Sequence, residues 1–242
     1  NFLNGERHGS GEINYPNGDF YVGTFKENKR HGNGIFTSKK GHIIDGQWQN
    51  DVVQGLAKAT YVDGSTYIGN YLSGKPHGLG KIVYSDGGSY SGSWVNGKIE
   101  GAGKAFFADG TFYEGNFKNA KQHGMGKIIY NDGHSFNGQW VDGLKQGQGL
   151  EIQADGSTYQ GTFIAGRPHG KGKLKLLNGF EYFGDWIDGE ISGYGQITYS
   201  NGNVYVGNLI QAQPNGLGKM TYISGKIFNG IWDLGKEKKP VE

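Results

Sequence analysis

The chain has 242 residues, with 47 Gly and only 5 Pro, which excludes a collagen-like fibre because that fold needs abundant Pro and a strict Gly period. A 14% share of aromatic residues argues against disorder. The formal net charge of +2 gives no reason to expect nucleic-acid binding, and the lack of Cys excludes disulfides, thiolate metal sites and a Cys nucleophile. No apolar run approaches the ~20 residues of a membrane-spanning helix.

A Tyr-x-Gly unit recurs every 23 residues, with Ile or Phe at the Tyr position in a few copies. A Gly-x-Gly unit keeps the same 23-residue period from Gly9 to Gly216. A fixed period of this kind indicates a solenoid or array. In chain order, the first units begin at Tyr21, Ile44, Tyr67, Tyr90, Tyr113, Phe136, Tyr159, Tyr182, Tyr205 and Phe228.

Each copy is predicted to form a β-hairpin. Its first strand follows an Asn-Gly or Asp-Gly turn and contains the Tyr-x-Gly unit, as in residues 88–94. Its second strand starts at the Gly-x-Gly unit, as in residues 78–84, and a second turn joins the two. Alternation places Tyr90, Gly92 and Trp94 on one face, where the glycines form a trough that large rings can cover.

The predicted fold is therefore all-β, an elongated single-layer antiparallel sheet of stacked 23-residue hairpins. Two strands per copy give an advance of about 10 Å, so that ten copies would form a twisted rod of roughly 90–100 Å with a groove. We expect one continuous array of about ten repeats over residues 2–232, followed by a charged, frayed tail at 233–242.

Three places depart from the pattern, and we expect looser packing or a special contact at each. Ile44 and Ala57 replace a Tyr and a Gly, and Leu209 stands where a ring is expected. Glu151 and Gln153 replace other residues of the second strand.

The stretches "YIGNYLSGKPHGLGK" (67–81) and "YEGNFKNAKQHGMGK" (113–127) resemble the MORN family, the membrane occupation and recognition nexus repeat. The resemblance covers about residues 2–232 and is specific because the spacing is kept. It implies a twisted single-layer sheet with a grooved face that serves as a scaffold. Family partners include myosin tails, other cytoskeletal proteins and acidic phospholipids. The uninterrupted array most resembles the all-repeat cytoskeletal scaffold MORN proteins of protists, which are often dimers.

The sequence gives little support for an enzyme. Four histidines recur two repeats apart, so they stand ~20 Å from one another, too far to share a zinc ion, and a local hydrogen bond in a turn explains them better. The aspartates of the Asp-Gly turns form a ladder with ~10 Å steps, for which a turn role also suffices. Gly-x-Gly-Lys recurs without the helix that a phosphate loop needs. We expect no catalytic residue, no cofactor and no metal site. The four histidines are His31, His77, His123 and His169.

A row of aromatic residues is the first candidate binding site. A single-layer sheet has no second layer under which to hide so many rings, so some are expected to line an open groove that holds a partner peptide or helix. The alternative is that the rings only pack on one another. The predicted groove residues are Tyr67, Tyr71, Tyr90, Trp94, Tyr113, Phe117, Phe136, Trp140, Tyr159, Phe163, Tyr182 and Trp186.

A row of lysines, one residue beyond the Gly-x-Gly unit, is the second candidate. Alternation puts these lysines on the face opposite Ile82, where they could track acidic lipid headgroups. The alternative is that they solvate exposed strands and prevent sheet pairing. The row consists of Lys58, Lys81, Lys104, Lys127, Lys173 and Lys219.

The sequence thus favours a non-enzymatic scaffold that binds cytoskeletal or motor-associated protein partners, with no nucleic acid, in a cytoplasmic, cytoskeleton-associated assembly. Binding of acidic phospholipids through the lysine row is the alternative, and regulation of an enzyme fused to the array is a weaker one. Unpaired strand edges at the two ends indicate a homodimer or larger homo-oligomer.

Overall fold

The computed structural model describes residues 1–241, and all regular secondary structure in that range is β-strand. The chain divides into two compact units, a first that runs from Asn1 to Lys121 and a second that begins at Gln122. Each unit is built around a single-layer antiparallel sheet in which every strand of that sheet pairs with the next along the chain. The predicted all-β architecture of stacked hairpins is confirmed within each unit.

In the first unit, β1 (Phe2–Leu3) and β2 (Glu6–Arg7) form a separate short ladder. The strands that follow pair consecutively from β3 to β12. They are β3 (Gly9–Asn14), β4 (Phe20–Lys26), β5 (Lys29–Thr37), β6 (Ile43–Gln49), β7 (Val52–Thr60), β8 (Thr66–Leu72), β9 (Lys75–Val83), β10 (Ser89–Val95), β11 (Lys98–Phe106) and β12 (Phe112–Lys118).

The second unit repeats this arrangement, with consecutive pairing from β13 to β23. Its strands are β13 (Lys121–Ile129), β14 (Ser135–Val141), β15 (Leu144–Ile152), β16 (Thr158–Ile164), β17 (Arg167–Lys175), β18 (Glu181–Ile187), β19 (Glu190–Thr198), β20 (Val204–Ile210), β21 (Gln213–Thr221), β22 (Ile227–Asp233) and β23 (Lys236–Pro240).

The hairpin turn within each repeat has two residues with positive φ, such as Asn96 at 50° and Gly97 at 84°. This is the two-residue turn whose twist matches that of the paired strands. Because strand pairing starts directly at this turn, the second strand begins at Lys75 rather than at Gly78, three residues earlier than the sequence predicts.

The two glycines of each Gly-x-Gly unit have different tasks. Gly78 has a φ of +75°, close to a bulge that shifts the register of β8 and β9 between Gly69 and Tyr71. A Cβ on Gly80 would overlap the ring of Tyr67, which lies flat across that glycine. The glycine trough predicted from the sequence is therefore occupied by a tyrosine ring.

The copy with Ile44 and Ala57 is closely packed at Ala57, whereas Ile44 is only half-buried, unlike the buried rings at its position in most other copies. Ala57 is only 4% exposed, and its Cβ occupies space that the ring of a tyrosine would fill in other repeats. Leu209, which stands where a ring is expected, is 1% exposed. The expected looser packing is therefore absent at Ala57 and at Leu209, but it is seen at Ile44, whose side chain is smaller than the ring it replaces.

The structure differs from the expectation of a frayed C-terminal tail. Residues 236–240 form β23, which pairs with β22 through a turn with positive φ at Leu234 and Gly235. Lys238 also forms a 3.1 Å ion pair with Asp233. The tail lacks a Gly-x-Gly unit, but it keeps the hairpin turn, which is sufficient to start a strand.

Candidate functional site

We call the sheet face that carries the Tyr-x-Gly-x-Trp/Phe side chains the aromatic face. The rings predicted to line an open groove there are between 0 and 7% exposed. Because a partner cannot reach ring faces that are buried to this extent, most of these rings form the core rather than a binding surface. This corrects the prediction for Tyr67, Tyr71, Tyr90, Tyr113, Phe117, Phe136, Trp140, Tyr159, Phe163, Tyr182 and Trp186, whereas Trp94 also borders the cavity described below.

The rings are buried because they pack on one another edge to face. The centroids of Tyr67 and Tyr71, on one strand, are 5.3 Å apart, and those of Tyr67 and Trp94, from successive repeats, are 5.1 Å apart. The polar atoms of the rings are satisfied internally as well. The Trp94 indole N–H donates to the Gly80 carbonyl at 3.2 Å, and the Tyr67 hydroxyl donates to the Asn70 carbonyl at 3.1 Å.

Burial has an electrostatic consequence for the tyrosines. Desolvation raises the pKa of Tyr67, Tyr90 and Tyr113 to about 12 each, since the charged phenolate is disfavoured away from water. These phenols therefore stay protonated, and keep donating hydrogen bonds, to a higher pH than ordinary tyrosines do.

A groove remains above this core on the aromatic face of the first unit. A cavity of about 490 Å³ lies there between the two rows of turns. Its floor is apolar and is formed by Ile82, Trp94 and Ile99. Tyr61 and Tyr84 border it on the side of the Asp-Gly turns, and Pro76 and Asn119 border it on the other side.

Apart from Trp94, the groove is lined by residues that were not among the predicted groove residues. Tyr84 is 38% exposed, in contrast to the buried tyrosines of the Tyr-x-Gly units. Tyr61, Tyr84 and Phe107 occupy the same place in successive repeats, directly before the Asp-Gly turn. Their signal in the sequence was an aromatic residue two positions before the turn aspartate.

All six lysines of the predicted row are exposed. They lie on the face opposite the aromatic one, which we call the open face. Two of them have acidic partners: Lys104 is 3.0 Å from Glu114, and Lys173 is 3.2 Å from Glu181. The row is therefore partly neutralised at these two positions. Its members are Lys58, Lys81, Lys104, Lys127, Lys173 and Lys219.

The open face also carries large apolar side chains beside the lysines of the first unit. Leu56 is 61% exposed and Leu79 is 68% exposed, each two residues before a lysine of the row. Ile68 pairs with both Lys58 and Lys81 and is 52% exposed. The signal for Leu56 and Leu79 was the middle position of the Gly-x-Gly unit, and that for Ile68 was the middle position of the Tyr-x-Gly unit.

The sequence model of the MORN repeat matches residues 1–20, 21–43, 45–66, 67–89, 90–112, 113–135, 136–158, 159–179, 182–204 and 205–227. The chain belongs to the MORN repeat family. The resemblance seen in the sequence is thereby confirmed, and each MORN repeat corresponds to one strand pair with its stacked rings.

Among solved structures, this MORN chain is similar to the wild-type TCP10 domain of Danio rerio CPAP, with 11% identity, 91% of this chain and 99% of that chain covered, and a TM-score of 0.45. It is also similar to the TCP10c domain of Drosophila melanogaster Sas-4, with 13% identity, 73% of this chain and 99% of that chain covered, and a TM-score of 0.37. A search among curated proteins found no match. At these identities and TM-scores, the structural matches say nothing about what the chain binds.

Three of the four histidines that recur two repeats apart, His77, His123 and His169, cap turns, whereas the buried Nδ1 atom of His31 has no hydrogen-bond partner among the described residues. The backbone N–H of Asn96 in the next hairpin turn points to the Nδ1 atom of His77 at 3.5 Å. Gln54 accepts in the same way from the N–H of Ser73 at 3.1 Å, so the position needs an acceptor rather than an imidazole. Within residues 1–241, no His, Cys, Asp or Glu side chains form a group of three or more that could hold a metal ion.

The turn aspartates have a comparable local role. The Asp63 carboxylate accepts the backbone N–H of Ser65 at 2.9 Å, and Asn178 accepts the N–H of Phe180 at 3.0 Å. Hydrogen bonds from the backbone and hydroxyl of Ser65 hold the pKa of Asp63 below its usual value, so this carboxylate stays ionised at neutral pH. An amide oxygen serves the turn as well as a carboxylate oxygen.

A charged cluster replaces apolar core residues on the aromatic face of the second unit. Glu151 is paired with Lys145 and lies 2.9 Å from His134. The side chains of Lys145 and Glu151 are only 13% and 12% exposed, and the Lys145 amine lies 5.1 Å from the centre of the Phe136 ring. The special contact expected near Glu151 is therefore an ion pair held among rings.

The described residues contain no helix that is long and apolar enough to cross a membrane.

Proposed function

We propose that this MORN array is a non-enzymatic scaffold that binds protein partners through the groove on the aromatic face of its first unit. In this proposal the partner belongs to a cytoskeletal or membrane–cytoskeleton assembly, as the family resemblance suggests. The observation that carries the proposal is the apolar cavity of about 490 Å³ over Trp94, bordered by the part-exposed ring of Tyr84. A concave apolar site with aromatic walls is the usual form of a peptide-binding groove.

The buried rings have a supporting role in this proposal. Their edge-to-face contacts fix the position of Trp94, so the floor of the groove is formed before a partner arrives. Removing a buried ring would destabilise its repeat, so that a loss of binding could not be assigned to a lost contact with the partner. A test of binding therefore has to change residues at the border of the groove.

The experiment places a photo-crosslinking amino acid at Tyr84, in the groove, or at Leu79, on the open face, and identifies the proteins attached in cell extracts. A partner that attaches at residue 84 and not at residue 79 is then purified, and its affinity is measured for Tyr84→Glu and Leu79→Glu. We expect the groove variant to lose at least about tenfold in affinity, or about 1.4 kcal/mol, and the open-face variant to bind normally. A partner that loses affinity only with Leu79→Glu would contradict the proposal.

Binding of acidic phospholipids through the lysine row is a second candidate function. It is favoured by the exposed lysines that lie next to exposed apolar side chains such as Leu56 and Leu79, since basic and apolar groups together bind a membrane surface. The test is co-sedimentation with acidic liposomes at low salt and at ~0.15 M salt. Loss of pelleting in a Lys58→Glu, Lys81→Glu, Lys104→Glu variant supports this function.

The matched control for the liposome test changes Lys75, Lys98 and Lys121 to Glu, since these exposed lysines lie at the hairpin turns outside the row. Pelleting that both triple variants lose equally, or that occurs only at low salt, would contradict a specific lysine-row site. Assembly into a homodimer or larger homo-oligomer stays a prediction, and analytical ultracentrifugation of the full chain tests it.

A further inference from the structure

A row of exposed aliphatic side chains follows the hairpin turns on the open face of the second unit. Each member either directly follows a buried core residue at the end of a first strand or pairs with that position across the turn. Their exposed fractions are between 45 and 53%, and they occur in four consecutive repeats. A continuous exposed apolar patch is typical of a contact surface. This aliphatic row consists of Val141, Leu144, Ile164, Ile187 and Ile210.

Two charges of opposite sign lie within the aliphatic row. Ile164 pairs with Arg167 across its turn, and Ile187 pairs with Glu190 across the next one. Because residues that pair in an antiparallel ladder share a face, both charged side chains lie on the open face. Both are exposed, and within residues 1–241 neither of them forms an ion pair. Each is therefore accessible to a charge from another chain.

A two-fold axis makes the aliphatic row complementary to itself. The axis lies between two apposed open faces, parallel to β17 and β18, and reverses the direction of the row. Arg167 of one copy then faces Glu190 of the other, and the reciprocal pair forms on the other side of the axis. Ile164 faces Ile187 in the same way, and the two end members of the row also face each other.

The charges disfavour the neighbouring positions of the axis. An axis through the turn of Arg167 would bring two guanidinium groups together, and one through the turn of Glu190 would bring two carboxylates together. An axis one repeat nearer the N-terminus would place Arg167 against Leu144. An axis one repeat nearer the C-terminus would place Glu190 against Gln213, and Arg167 against Lys236. An unshifted parallel arrangement would repeat the like-charge contacts.

The open-face charges beside the axis are already paired within the chain. Lys171 on β17 lies 2.6 Å from Asp185 on β18, and Lys173 lies 3.2 Å from Glu181. Lys175 also contacts Glu181, at 3.1 Å. A second copy would therefore meet ion pairs at these strands rather than isolated charges, so apposition of the two faces leaves no lone charge there to be desolvated.

The first unit lacks such a row. Leu72 pairs with Lys75, and Val95 pairs with Lys98, at the turns equivalent to those of the aliphatic row. From β4 to β12, lysine is the commonest residue at these positions and no acidic residue occurs there. An equivalent two-fold axis would place Lys75 against Lys98, so this part of the open face repels a second copy of itself.

From these observations we propose that the aliphatic row is the contact surface of an antiparallel homodimer, in which the open faces of two second units meet about this axis. The aliphatic side chains contribute the apolar area that is buried, and the two pairs of Arg167 with Glu190 determine direction and register. The inference gives the predicted homo-oligomer a surface and a symmetry. It goes beyond groove binding, because it involves neither the aromatic face nor the first unit.

The main test exchanges the two charges. Arg167→Glu and Glu190→Arg each create like-charge contacts on both sides of the axis. Each single variant should therefore weaken the dimer at least about tenfold in sedimentation equilibrium of the full chain. The double variant restores opposite charges and should dimerise within about threefold of the unchanged protein. A mixture of the two single variants should form a heterodimer, because all four charges are then complementary.

The matched controls lie at equivalent turns of the first unit. Lys98→Glu reverses a charge there and should leave association unchanged. Ile187→Thr keeps a β-branched residue in the strand but removes apolar contact, so it should weaken the dimer about tenfold, whereas Val95→Thr should have no effect. Circular dichroism shows whether each variant keeps its fold.

Introduced cysteines report on the direction of the two copies, because the chain itself has no Cys. Ile164→Cys combined with Ile187→Cys should give a disulfide-linked dimer under mild oxidation, since these positions face each other across the axis. Within one chain they are about 9.6 Å apart, two strand spacings, which is too far for an internal disulfide. Efficient crosslinking of either single variant would overturn the antiparallel register.

Two further results would overturn the inference as a whole. One is a chain that stays monomeric up to about 100 μM. The other is a dimer that both single charge reversals leave unchanged, because the contact surface then lies elsewhere. Neither result affects the proposed groove binding, which is measured by crosslinking at residue 84. Failure of that crosslinking would in turn leave the dimer intact.

Discussion

The rings of Tyr67 and Trp94, which come from successive repeats, meet edge to face with their centroids 5.1 Å apart. Tyr90 and Phe117 repeat the contact one step further along, also at 5.1 Å. Since each ring contacts only its own repeat and the adjacent ones, the core of a unit is a series of nearest-neighbour contacts. The effects of a substitution should therefore be largest in the repeat that carries it and in the next one.

Substitution of Gly103 tests the ring-over-glycine packing. A Cβ there would lie 2.6 Å from Cζ of Tyr90, so Gly103→Ala should lower the free energy of unfolding by about 1–3 kcal/mol. In a Tyr90→Ile background the same change should cost much less, because Ile44 and Ala57 already form this pair. Urea denaturation of the two single variants and the double variant measures the coupling energy. Additive effects would show that the ring and the glycine do not interact.

Alkaline pH should unfold the array through its buried tyrosines. The pKa of Tyr67, Tyr90 and Tyr113 is about 12 in the folded protein against 10.0 for an ordinary tyrosine, so the folded state binds the phenol protons more tightly. Stability is therefore unaffected by these groups below pH 10 and falls as the pH rises towards 12. Circular dichroism and tyrosinate absorbance should change together over this range.

The variants for the pH experiment make the same change, Tyr to Phe, at buried and at exposed positions. Phe136 already stands at the Tyr position and is fully buried, so Tyr67→Phe with Tyr90→Phe should fold and shift the alkaline midpoint to higher pH. Tyr194 is 55% exposed, and Tyr194→Phe should leave the midpoint unchanged. Equal shifts in both variants would exclude burial as the cause.

The ion pair between Lys145 and Glu151 should be costly to break and dispensable as a whole. Glu151→Ile leaves the amine with no acidic partner among the rings and should cost up to about 3 kcal/mol. The double change Lys145→Ile with Glu151→Ile recreates the pair that Ile191 and Ile197 form in a later repeat. It should recover stability to within about 1 kcal/mol of the unchanged protein. Scanning calorimetry measures the melting temperature of the unchanged protein, the single variant and the double variant. A double variant that melts no higher than the single one would contradict the idea that the unpaired amine causes the loss of stability.

Ala120 is a strained turn residue, with a φ of 62° where most repeats have Gly. Ala120→Gly removes the steric cost of this conformation and should stabilise the protein by up to about 1 kcal/mol. Ala102→Gly is the control, because Ala102 is in the interior of β11 and its replacement by Gly should destabilise by about 0.5–1 kcal/mol. Thermal denaturation compares the two variants, and a destabilising Ala120→Gly would contradict the assignment of strain.

The stacked hairpins could be predicted from the sequence because the 23-residue period, the turn glycines and the alternation of Tyr, Gly and Trp agree with one another. Alternation identifies the face on which Tyr67 lies but gives no information about its depth. The depth follows from the bulge and from Gly80, which allow the ring to lie flat on the backbone instead of standing upright in a groove.

The accessible surfaces were harder to predict. Tyr84 borders the groove because it precedes a turn, and Leu79 is exposed because it stands between two glycines on the open face. Neither belongs to the Tyr-x-Gly-x-Trp pattern that directed the search. In a repeat protein the regular positions form the core, so the binding surface is found among the positions that vary between copies.

The Asp-Gly turns accept Asp and Asn equally, because Asp63 and Asn178 provide the same oxygen to the same backbone N–H. The charge at each turn is thus free to change during evolution without an accompanying change in the core. When such repeats are duplicated, every new copy keeps the same folded core. The charge at each of its turns can then change independently. New recognition properties can then arise along the edge one residue at a time, with little risk of losing a folded intermediate.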